Sequence, residues 1–420
     1  MKVLLVNSFD RSGGAAVACN RLLQALHKEG VDVKLLAQEQ TKPDPLVVPV
    51  GEAGKANKTA FGRFLLDRLE VYFQEKDKSA RFAFSPAHIG TDISKHPAVL
   101  EADIIHLHWV YFGFLSIESL RKLLQLGKPI VWTLHDMWPF TGGCHYSGEC
   151  THYLTHCHAC PFLKRPGVKD LSYKVFAQKI ELFQRGQVHF VGCSQWLADT
   201  AKQSALLKNF PITAIPNPIN TEKYAAKNKI AARRQTKLPE GKELILFGAM
   251  NTKDSRKGFA YLKDALQLLK GTFPKTADDV ELVIFGKTDP DMLADLPFPV
   301  NNRGRIDNES ELVYLYNACD VTVLPSMQDN LPNTVMESMA CATPVVAFNT
   351  SGLPEMVDHG RNGYLAQHRS ADDLAQGIYQ ILYQSNTQRL QEQARQKVLD
   401  NYSETRVAGQ YIDVYKSLLK

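Results

Sequence analysis

The stretch from Pro325 to Val346, PSMQDNLPNTVMESMACATPVV, combines two carboxylates with the start of a helical pattern. Asp329 follows an apolar strand pattern on a short loop, and the helix is predicted to begin near Asn333 and Thr334. Free N–H groups at the start of a helix attract anions such as phosphate. Glu337 lies one turn further on, where its carboxylate can accept hydrogen bonds from vicinal hydroxyls such as those of a ribose. Together these groups indicate a nucleotide-sugar site.

A second group suited to phosphate lies in SRKGF, where Arg256 and Lys257 precede Gly258 and a helical pattern. Two cations beside a helix N-terminus bind phosphate through charge and backbone donors together. An exposed basic turn is the alternative for such a pair. Gly13 and Gly14 separate the first strand from its helix, so the backbone there can approach an anion. Their spacing is not that of the dinucleotide fingerprint, and a plain tight turn is the alternative.

His135 ends a buried strand pattern in WTLHDMW. An imidazole at this place can exchange hydrogen bonds with a sugar hydroxyl near neutral pH. A purely structural histidine is the alternative. His106 and His108 alternate with apolar residues in IIHLHW and are interpreted as structural.

Half of the eight cysteines occur together in GGCHYSGECTHYLTHCHACPFL, with four histidines between them. These are Cys144, Cys150, Cys157 and Cys160. In a reducing compartment grouped thiols favour zinc, and the closing Cys-x2-Cys has metal-ligand spacing. Disulfides and unliganded thiols remain the alternatives. A zinc ion here would hold an irregular loop near His135 and shape the acceptor side without chemistry of its own.

The elements that must position these residues alternate between apolar strands and helices. Strand patterns are KVLLVNS, DVKLLAQ, ADIIHLHW, PIVWTLHD and HFVGCS, then LILFGAM, VELVIFGK, VTVLPS and TPVVAF. Continuous apolar strands separated by helices indicate parallel sheets covered on both faces. We therefore predict an α/β protein with two Rossmann-like, doubly wound domains. Ligands of such sheets lie beyond the carboxyl ends of the strands, so a cleft between the domains is expected.

The domain boundary is predicted in a polar linker formed by ITAIPNPINTEKY and the charged stretch KNKIAARRQTKLPEGKE. Residues 1–215 would form an acceptor-binding domain and residues 216–400 a nucleotide-sugar-binding domain. A C-terminal helix at about 401–420 is a candidate to pack back on the first domain. A length of 420 residues agrees with two domains.

The composition is that of a globular protein and excludes disordered and collagen-like chains. The chain is 44% hydrophobic and 22% charged, as globular proteins are. No apolar run approaches the roughly 20 residues that cross a bilayer. The net charge of +5, concentrated in the first half, suits phosphorylated ligands or an acidic surface, and nucleic acid is not an expected partner. The start of the chain is interpreted as a buried strand and the protein as cytoplasmic.

The segment KANKTAFGRFLLDRLEVYFQEKDKSARF predicts an amphipathic helix with a basic border. Its apolar residues are Phe61, Phe64, Leu65, Leu69, Tyr72 and Phe73, and its basic residues are Lys58, Arg63, Arg68, Lys76, Lys78 and Arg81. Such a helix can bind an anionic membrane peripherally. Packing of the apolar stripe against the domain's own sheet is the alternative.

Several of these motifs together resemble the retaining glycosyltransferases of family 4. The motifs are SGGA, TLHD, RKGF, PSMQDNLPNTVMESMACATPVVAF, SGLPEMV and GRNGYLA. The resemblance spans almost the whole chain and implies the GT-B fold. It also implies transfer of a sugar from a nucleotide diphosphate donor with retention at the anomeric carbon.

The resemblance assigns roles to individual residues. Glu337 matches the second acid of the family's Glu-x7-Glu motif and would hold the ribose. Asp329 matches the first acid, near the transferred sugar, although the family usually has Glu there. His135 matches the histidine that contacts the donor sugar. Asn330 and Leu331, on the loop between the two acids, join the donor-binding set.

Two further positions depart from the family pattern. Lys257 matches the diphosphate-binding lysine, but the arginine expected about six residues earlier is Asn251, for which Arg256 is a candidate substitute. Ala342 stands where glycine is usual and is interpreted as a packing position.

The expected reaction needs no catalytic metal, because Lys257, Arg256 and the helix N-terminus can neutralise the departing diphosphate. With no obvious nucleophile, front-side attack by the acceptor hydroxyl is the expected route to retention. The acceptor would be a saccharide or a lipid-linked oligosaccharide of a surface polysaccharide, met at the inner face of the membrane. A nucleotide-sugar epimerase of the same architecture and a non-catalytic nucleotide-sugar-binding protein remain the alternatives.

Overall fold

A computed structural model describes residues 1–51, 55–184 and 186–420. The chain forms two compact units. The first contains Met1–Pro218 and Thr405–Lys420, and the second contains Ile219–Glu404. The chain therefore leaves the first unit at Pro218 and returns to it for its last sixteen residues.

The first unit is built on a seven-stranded parallel sheet. Its strands are β1 (Lys2–Phe9), β2 (Asp32–Glu39), β3 (Val47–Pro49), β4 (Ile104–Leu107), β5 (Ile130–Leu134), β6 (Val188–Gly192) and β7 (Ile212–Ala214). Its helices are α1 (Gly14–Lys28), α2 (Lys55–Tyr72), α3 (Pro97–Glu101), α4 (Ile117–Leu124), α5 (Leu171–Phe183) and α6 (Gln195–Gln203). The strand order is β3-β2-β1-β4-β5-β6-β7, so the order reverses between β1 and β4.

The second unit is built on a six-stranded parallel sheet. Its strands are β8 (Glu243–Asn251), β9 (Val280–Lys287), β10 (Val300–Gly304), β11 (Val321–Leu324), β12 (Val345–Phe348) and β13 (Gly363–Ala366). Its helices run from α7 (Lys229–Thr236) and α8 (Phe259–Thr272) through α9 (Thr276–Asp279), α10 (Pro290–Ala294), α11 (Glu309–Ala318), α12 (Asn333–Ala340), α13 (Leu353–Met356) and α14 (Ala371–Tyr379) to α15 (Thr387–Tyr402). A last helix, α16 (Glu404–Leu418), begins at the end of this unit. The strand order β10-β9-β8-β11-β12-β13 reverses between β8 and β11.

Both sheets have buried apolar side chains on their two faces, as the continuous apolar strand patterns predict; in β8, for example, the successive residues Leu244–Phe247 are all buried. Parallel pairing runs through every adjacent pair of named strands in each sheet. The predicted α/β class with two doubly wound sheets is therefore confirmed.

The C-terminal helix α16 closes one face of the first sheet. Tyr411 and Tyr415 on this helix are buried against it. The Tyr415 hydroxyl lies 2.7 Å from Nδ1 of His106, and the Tyr411 hydroxyl lies 2.9 Å from the Thr133 hydroxyl. The other His106 nitrogen lies 2.7 Å from the same Thr133 hydroxyl, so this histidine joins two strands to the helix.

A buried ion pair fixes the start of the second unit. Arg233 on α7 lies 2.6 Å from Asp320, which precedes β11. The Asp320 carboxylate also accepts a hydrogen bond from the Leu244 N–H at the start of β8. The charged stretch predicted as part of a linker thus contains a helix whose arginine ties together β8 and β11, the two strands at the reversal.

Ala342 adopts a left-handed backbone conformation with φ of 62° just after α12. An alanine in this region is strained by about 1–2 kcal/mol relative to its usual conformations, whereas glycine tolerates it. The prediction of a packing position was therefore incomplete, because backbone conformation explains why glycine suits this place.

Within the described ranges, no helix is long and apolar enough to cross a membrane.

Candidate active site

The turn after β8 carries the predicted phosphate ligands. Residues Ser255–Lys257 form a short 3-10 helix. The Asp254 carboxylate caps it by accepting a hydrogen bond from the Arg256 N–H, and it pairs with the Arg256 guanidinium at 2.6 Å. Gly258 ends the turn with φ of 69°, and α8 begins at the next residue. The two cations therefore lie at the entrance to a fourteen-residue helix, as the sequence predicted.

This turn contacts the loop after β11 through backbone atoms. A Cβ placed on Gly258 would lie 1.8 Å from the carbonyl oxygen of Pro325, so only glycine fits there. The Met327 N–H donates to the Arg256 carbonyl at 2.7 Å. These contacts join the two loops that leave neighbouring strands at the point where strand order reverses, the usual ligand site of doubly wound sheets.

Lys257 and Asp329 meet directly at this point. The Lys257 ammonium lies 2.5 Å from a carboxylate oxygen of Asp329, and the Ser326 hydroxyl donates to the same oxygen at 3.3 Å. The Asp329 side chain is only 10% exposed and that of Lys257 is 23% exposed. The structure thus brings together the predicted phosphate lysine and the predicted sugar carboxylate, which neutralise each other.

A hydrogen bond from a buried tyrosine orients the Glu337 side chain. It is buried one turn inside α12, where its Oε2 accepts a hydrogen bond from the Tyr316 hydroxyl at 2.9 Å. Burial and the adjacent carboxylate raise the pKa of Tyr316 well above its usual value, so the hydroxyl stays protonated and donates. This contact orients the carboxylate that was predicted to hold a ribose.

Helix α12 begins after Pro332 and is held at its C-terminal end by α15. Pro332 occupies its N-cap position, and the following Asn333 and Thr334 are half-buried, while Asn330 and Leu331 on the preceding loop are buried. The last residues of the helix are fixed by Arg395 on α15, whose guanidinium donates to the Ala340 carbonyl at 2.6 Å. The predicted donor-binding residues of the second unit therefore lie on the segments that follow β8 and β11.

His135 lies in the first unit, directly after β5. Its Nε2 is 3.0 Å from Nδ1 of His108, and its Nδ1 is 3.6 Å from the sulfur of Cys193. Burial lowers the pKa of His135 to about 4, so the ring is neutral at physiological pH. A hydrogen bond to a donor sugar would have to replace one of these two contacts. His106 and His108 are buried in the same row of rings, as structural histidines are.

Gly13 and Gly14 lie where α1 begins. Gly13 is the N-cap residue with φ of 94°, a conformation that favours glycine, and its carbonyl accepts the first helical hydrogen bond from Val17. Their place beside β1 is at the reversal point of the first sheet. The geometry agrees with both an anion site and a tight turn.

A second polar group, which the sequence did not reveal, follows β5 in the first unit. The Asp136 carboxylate lies 2.8 Å from Nδ1 of His145 and accepts hydrogen bonds from the Trp109 ring and the Trp138 N–H, both at 2.9 Å. Burial alone raises the pKa of Asp136, but the His145 ring and these hydrogen bonds outweigh it and lower that pKa. Asp136, directly after His135, could be seen in the sequence as a candidate polar residue. Nothing in the local pattern indicated its contact with His145, nine residues later.

The four clustered cysteines line one small cavity. Its volume is about 20 Å³, and His152 and His158 also line it. All four thiols are free of disulfide bonds. Among the described residues, no three Cys, His, Asp or Glu side chains are already arranged as a metal-ligand set. The zinc expectation therefore stays a prediction, which the cavity alone does not test.

Two family models match the chain. Residues 12–223 match the model described as Glycosyltransferase Family 4, and residues 241–384 match the model described as Glycosyl transferases group 1. The first match covers just over half of the 420 residues.

Relatives and solved structures agree with these matches. WcaC of Escherichia coli, assigned by its name to colanic acid biosynthesis, is 25% identical over 338 residues, which are 77% of each chain. An uncharacterized glycosyltransferase of Methanocaldococcus jannaschii is 30% identical over 335 residues, covering 74% of this chain and 82% of that protein. The structure of HepE from Anabaena in complex with UDP-glucose has a TM-score of 0.63 at 16% identity, with 99% and 100% of the two chains covered. This likeness shows the fold, and the GT-B prediction is confirmed.

The Tyr316–Glu337 contact gives a test of the nucleotide site. We expect Glu337→Ala to weaken binding of the preferred nucleoside diphosphate by about 1–3 kcal/mol, because ribose hydroxyls would lose their acceptor. Tyr316→Phe should weaken it less, because the carboxylate remains but loses its orienting donor. Calorimetry with UDP, GDP and ADP measures both effects.

Glu311→Ala is the matched control, since Glu311 lies on α11 and pairs with Arg303 at the surface. The affinity of the Glu311→Ala variant for the preferred nucleoside diphosphate should equal that of the unmodified protein. Equal affinity of Glu337→Ala and the unmodified protein for every diphosphate would refute the ribose assignment.

Proposed function

Because the chain belongs to glycosyltransferase family 4, we propose that it transfers a sugar from a nucleoside diphosphate sugar to a hydroxyl group, with retention at the anomeric carbon. The observation that carries this proposal is the meeting of Lys257 and Asp329 beside α12. At this place the lysine can bind the diphosphate and the carboxylate can bind the sugar. The N-terminus of α12 can stabilise the charge that develops as the diphosphate and the sugar separate.

In the proposed reaction the acceptor oxygen forms a bond to the anomeric carbon while the bond from that carbon to the diphosphate oxygen breaks. The bonding electrons stay on the diphosphate, and the acceptor proton moves to the same leaving oxygen. Attack on the face that the diphosphate leaves preserves the configuration. Lys257, Arg256 and the N-terminus of α12 stabilise the departing charge, so the step needs no catalytic metal.

The ion pair suggests how donor binding prepares Asp329. A diphosphate carries more charge than one carboxylate and would draw the Lys257 ammonium towards itself. Asp329 would then be free to accept hydrogen bonds from hydroxyls of the transferred sugar. Asp is shorter than the Glu usual in the family, but it contacts Lys257, the proposed phosphate ligand.

The first unit is the proposed acceptor domain. The name of WcaC refers to colanic acid biosynthesis, and this likeness supports a saccharide or lipid-linked oligosaccharide acceptor in polysaccharide assembly. UDP-glucose in the HepE complex supports a nucleotide sugar as donor. His135, Gly13 and Gly14 are the proposed contributions of the first unit to donor binding.

Helix α2 is the proposed membrane contact. Most of the predicted apolar residues on this helix and just after it are exposed, and so are Leu66 on the helix and Phe82 beyond it, whereas Phe64 is half-buried. The exposed set is Phe61, Leu65, Leu66, Leu69, Tyr72, Phe73 and Phe82. Arg68 is not available for lipid, because it is buried and pairs with Glu75 at 2.6 Å. Exposed apolar rings bordered by Lys76 and Lys78 suit the anionic inner face of the cell membrane.

Transfer can be tested with a panel of UDP-, GDP- and ADP-sugars, with and without saccharide or lipid-linked acceptors. We expect nucleoside diphosphate release that depends on acceptor, and a glycoside whose anomeric configuration by NMR is that of the donor. Lys257→Ala should lower turnover at least about a hundredfold, as loss of one transition-state donor does. Brief EDTA treatment should leave turnover unchanged.

Lys263→Ala is the control, since Lys263 lies on α8 and pairs with the exposed Asp295. Formation of an epimer or free sugar without acceptor would identify an epimerase or hydrolase instead. Tight donor binding with no product across the panel would favour a binding protein.

Membrane contact can be tested by sedimentation with liposomes. The protein should sediment with anionic liposomes at low salt, leave them as salt rises, and bind neutral liposomes poorly. Phe73→Ser with Leu69→Ser should abolish sedimentation, while Lys76→Glu with Lys78→Glu should weaken it. Equal amounts in the supernatant with anionic and neutral liposomes at low salt would contradict this proposal.

A further inference from the structure

A long irregular segment, residues 141–170, carries the four clustered cysteines and is called here the cysteine loop. It runs from the 3-10 helix Trp138–Phe140 to α5 and contains one short 3-10 helix, His152–Leu154. Loops of this length without regular structure are uncommon in compact domains. Something other than secondary structure must therefore hold this one in place.

The outer contacts of the cysteine loop connect it to the chain that follows α2. Cys144 and Phe84 form a β-bridge, and Leu163 and Glu75 form another. Gly143 packs so closely on the Phe84 ring that a Cβ there would lie 2.5 Å from it. The shape of the loop thus affects the neighbourhood of α2 and of His145.

At the centre of the loop the four thiols surround a cavity just large enough for one water-sized species. Cys144, Cys157 and Cys160 are buried, and Cys150 is partly exposed. Four free thiols around one small void are the donor set of a structural zinc site. Ligation would require the thiol groups to turn into the cavity until each sulfur lies about 2.3 Å from the ion.

Burial raises the pKa of the Cys157 thiol, and one backbone contact opposes that rise. The Gly142 N–H donates to the Cys157 sulfur at 3.1 Å. A hydrogen bond of this kind stabilises the charged form of the sulfur and orients it as metal ligands are oriented. A Cβ at position 142 would lie 2.7 Å from the Cys157 Cβ, so glycine is needed for this approach.

A buried amine lies beside the thiols. Lys179 on α5 is completely buried and donates to the carbonyls of Trp138 and Thr141 at 2.5 and 3.0 Å. Burial lowers the pKa of Lys179 well below its usual value, while Cys144, Cys157 and Asp136 act in the opposite direction. The two hydrogen bonds fix α5 against the start of the cysteine loop.

We propose that Cys144, Cys150, Cys157 and Cys160 bind one structural Zn²⁺ as thiolates. Binding releases four thiol protons to solvent and changes no oxidation state. The ion holds the cysteine loop, and through Cys144 it holds the adjacent His145 against Asp136. This inference does not depend on the proposed glycosyl transfer.

Elemental analysis of protein purified with a non-chelating reductant should find about one zinc per chain. Cys157→Ser and Cys160→Ser should lose most of that zinc. Cys19→Ala, a buried cysteine of the same unit, should keep it. Because a cysteine variant can fail to fold, Co²⁺ added to the reduced, metal-depleted unmodified protein gives a second measurement. It should produce a sulfur-to-cobalt charge-transfer band and the d–d bands of tetrahedral coordination.

Three outcomes would overturn the proposal. Absence of zinc together with absence of the cobalt bands would show that the thiols are unliganded. Fewer than eight titratable thiols in the unreduced, denatured protein would show disulfides instead. Full zinc content in Cys157→Ser and Cys160→Ser would place the metal elsewhere.

Discussion

The backbone contact between Gly258 and Pro325 is the constraint on which the site in the second unit depends. It leaves no room for a side chain on the glycine and brings the turn after β8 against the loop after β11. Because of this contact, Lys257 on the turn reaches Asp329 on the loop. The buried pairing of Arg233 with Asp320 fixes the opposite ends of the same two strands. Packing at both ends of β8 and β11 therefore fixes the positions of Lys257 and Asp329.

The same constraint explains how one small region can serve several parts of a nucleotide sugar. Lys257 and the N-terminus of α12 suit anionic oxygens, Asp329 suits sugar hydroxyls, and Glu337 suits a ribose. Before a donor binds, Lys257 and Asp329 neutralise each other, so neither is left as a buried unpaired charge. Donor binding would exchange this contact for two others, and the proposed mechanism follows from that exchange.

Much of this arrangement could be predicted from the sequence, because continuous apolar strands and glycines before helices are strong local signals. The predicted helix near Gly258 begins at Phe259, and Lys257 and Asp329 lie at strand ends as expected. Contacts between distant segments could not be predicted in this way. The charged residues of α7 were interpreted as part of a linker. Nothing in their local pattern indicates that Arg233 is buried against Asp320. The pairing of Lys257 with Asp329, 72 positions apart, was hidden for the same reason.

The central claim is that Lys257 binds the diphosphate in exchange for Asp329, and Asp329→Asn tests it most directly. Calorimetry with the preferred nucleoside diphosphate should show binding at least about fivefold tighter than in the unmodified protein, since a competing ion pair worth ~1 kcal/mol is lost. Turnover should fall in the same variant, because the sugar loses its carboxylate. Asp295→Asn, which removes an exposed partner of Lys263, should change neither quantity. Diphosphate binding that is unchanged or weaker in Asp329→Asn would contradict the account.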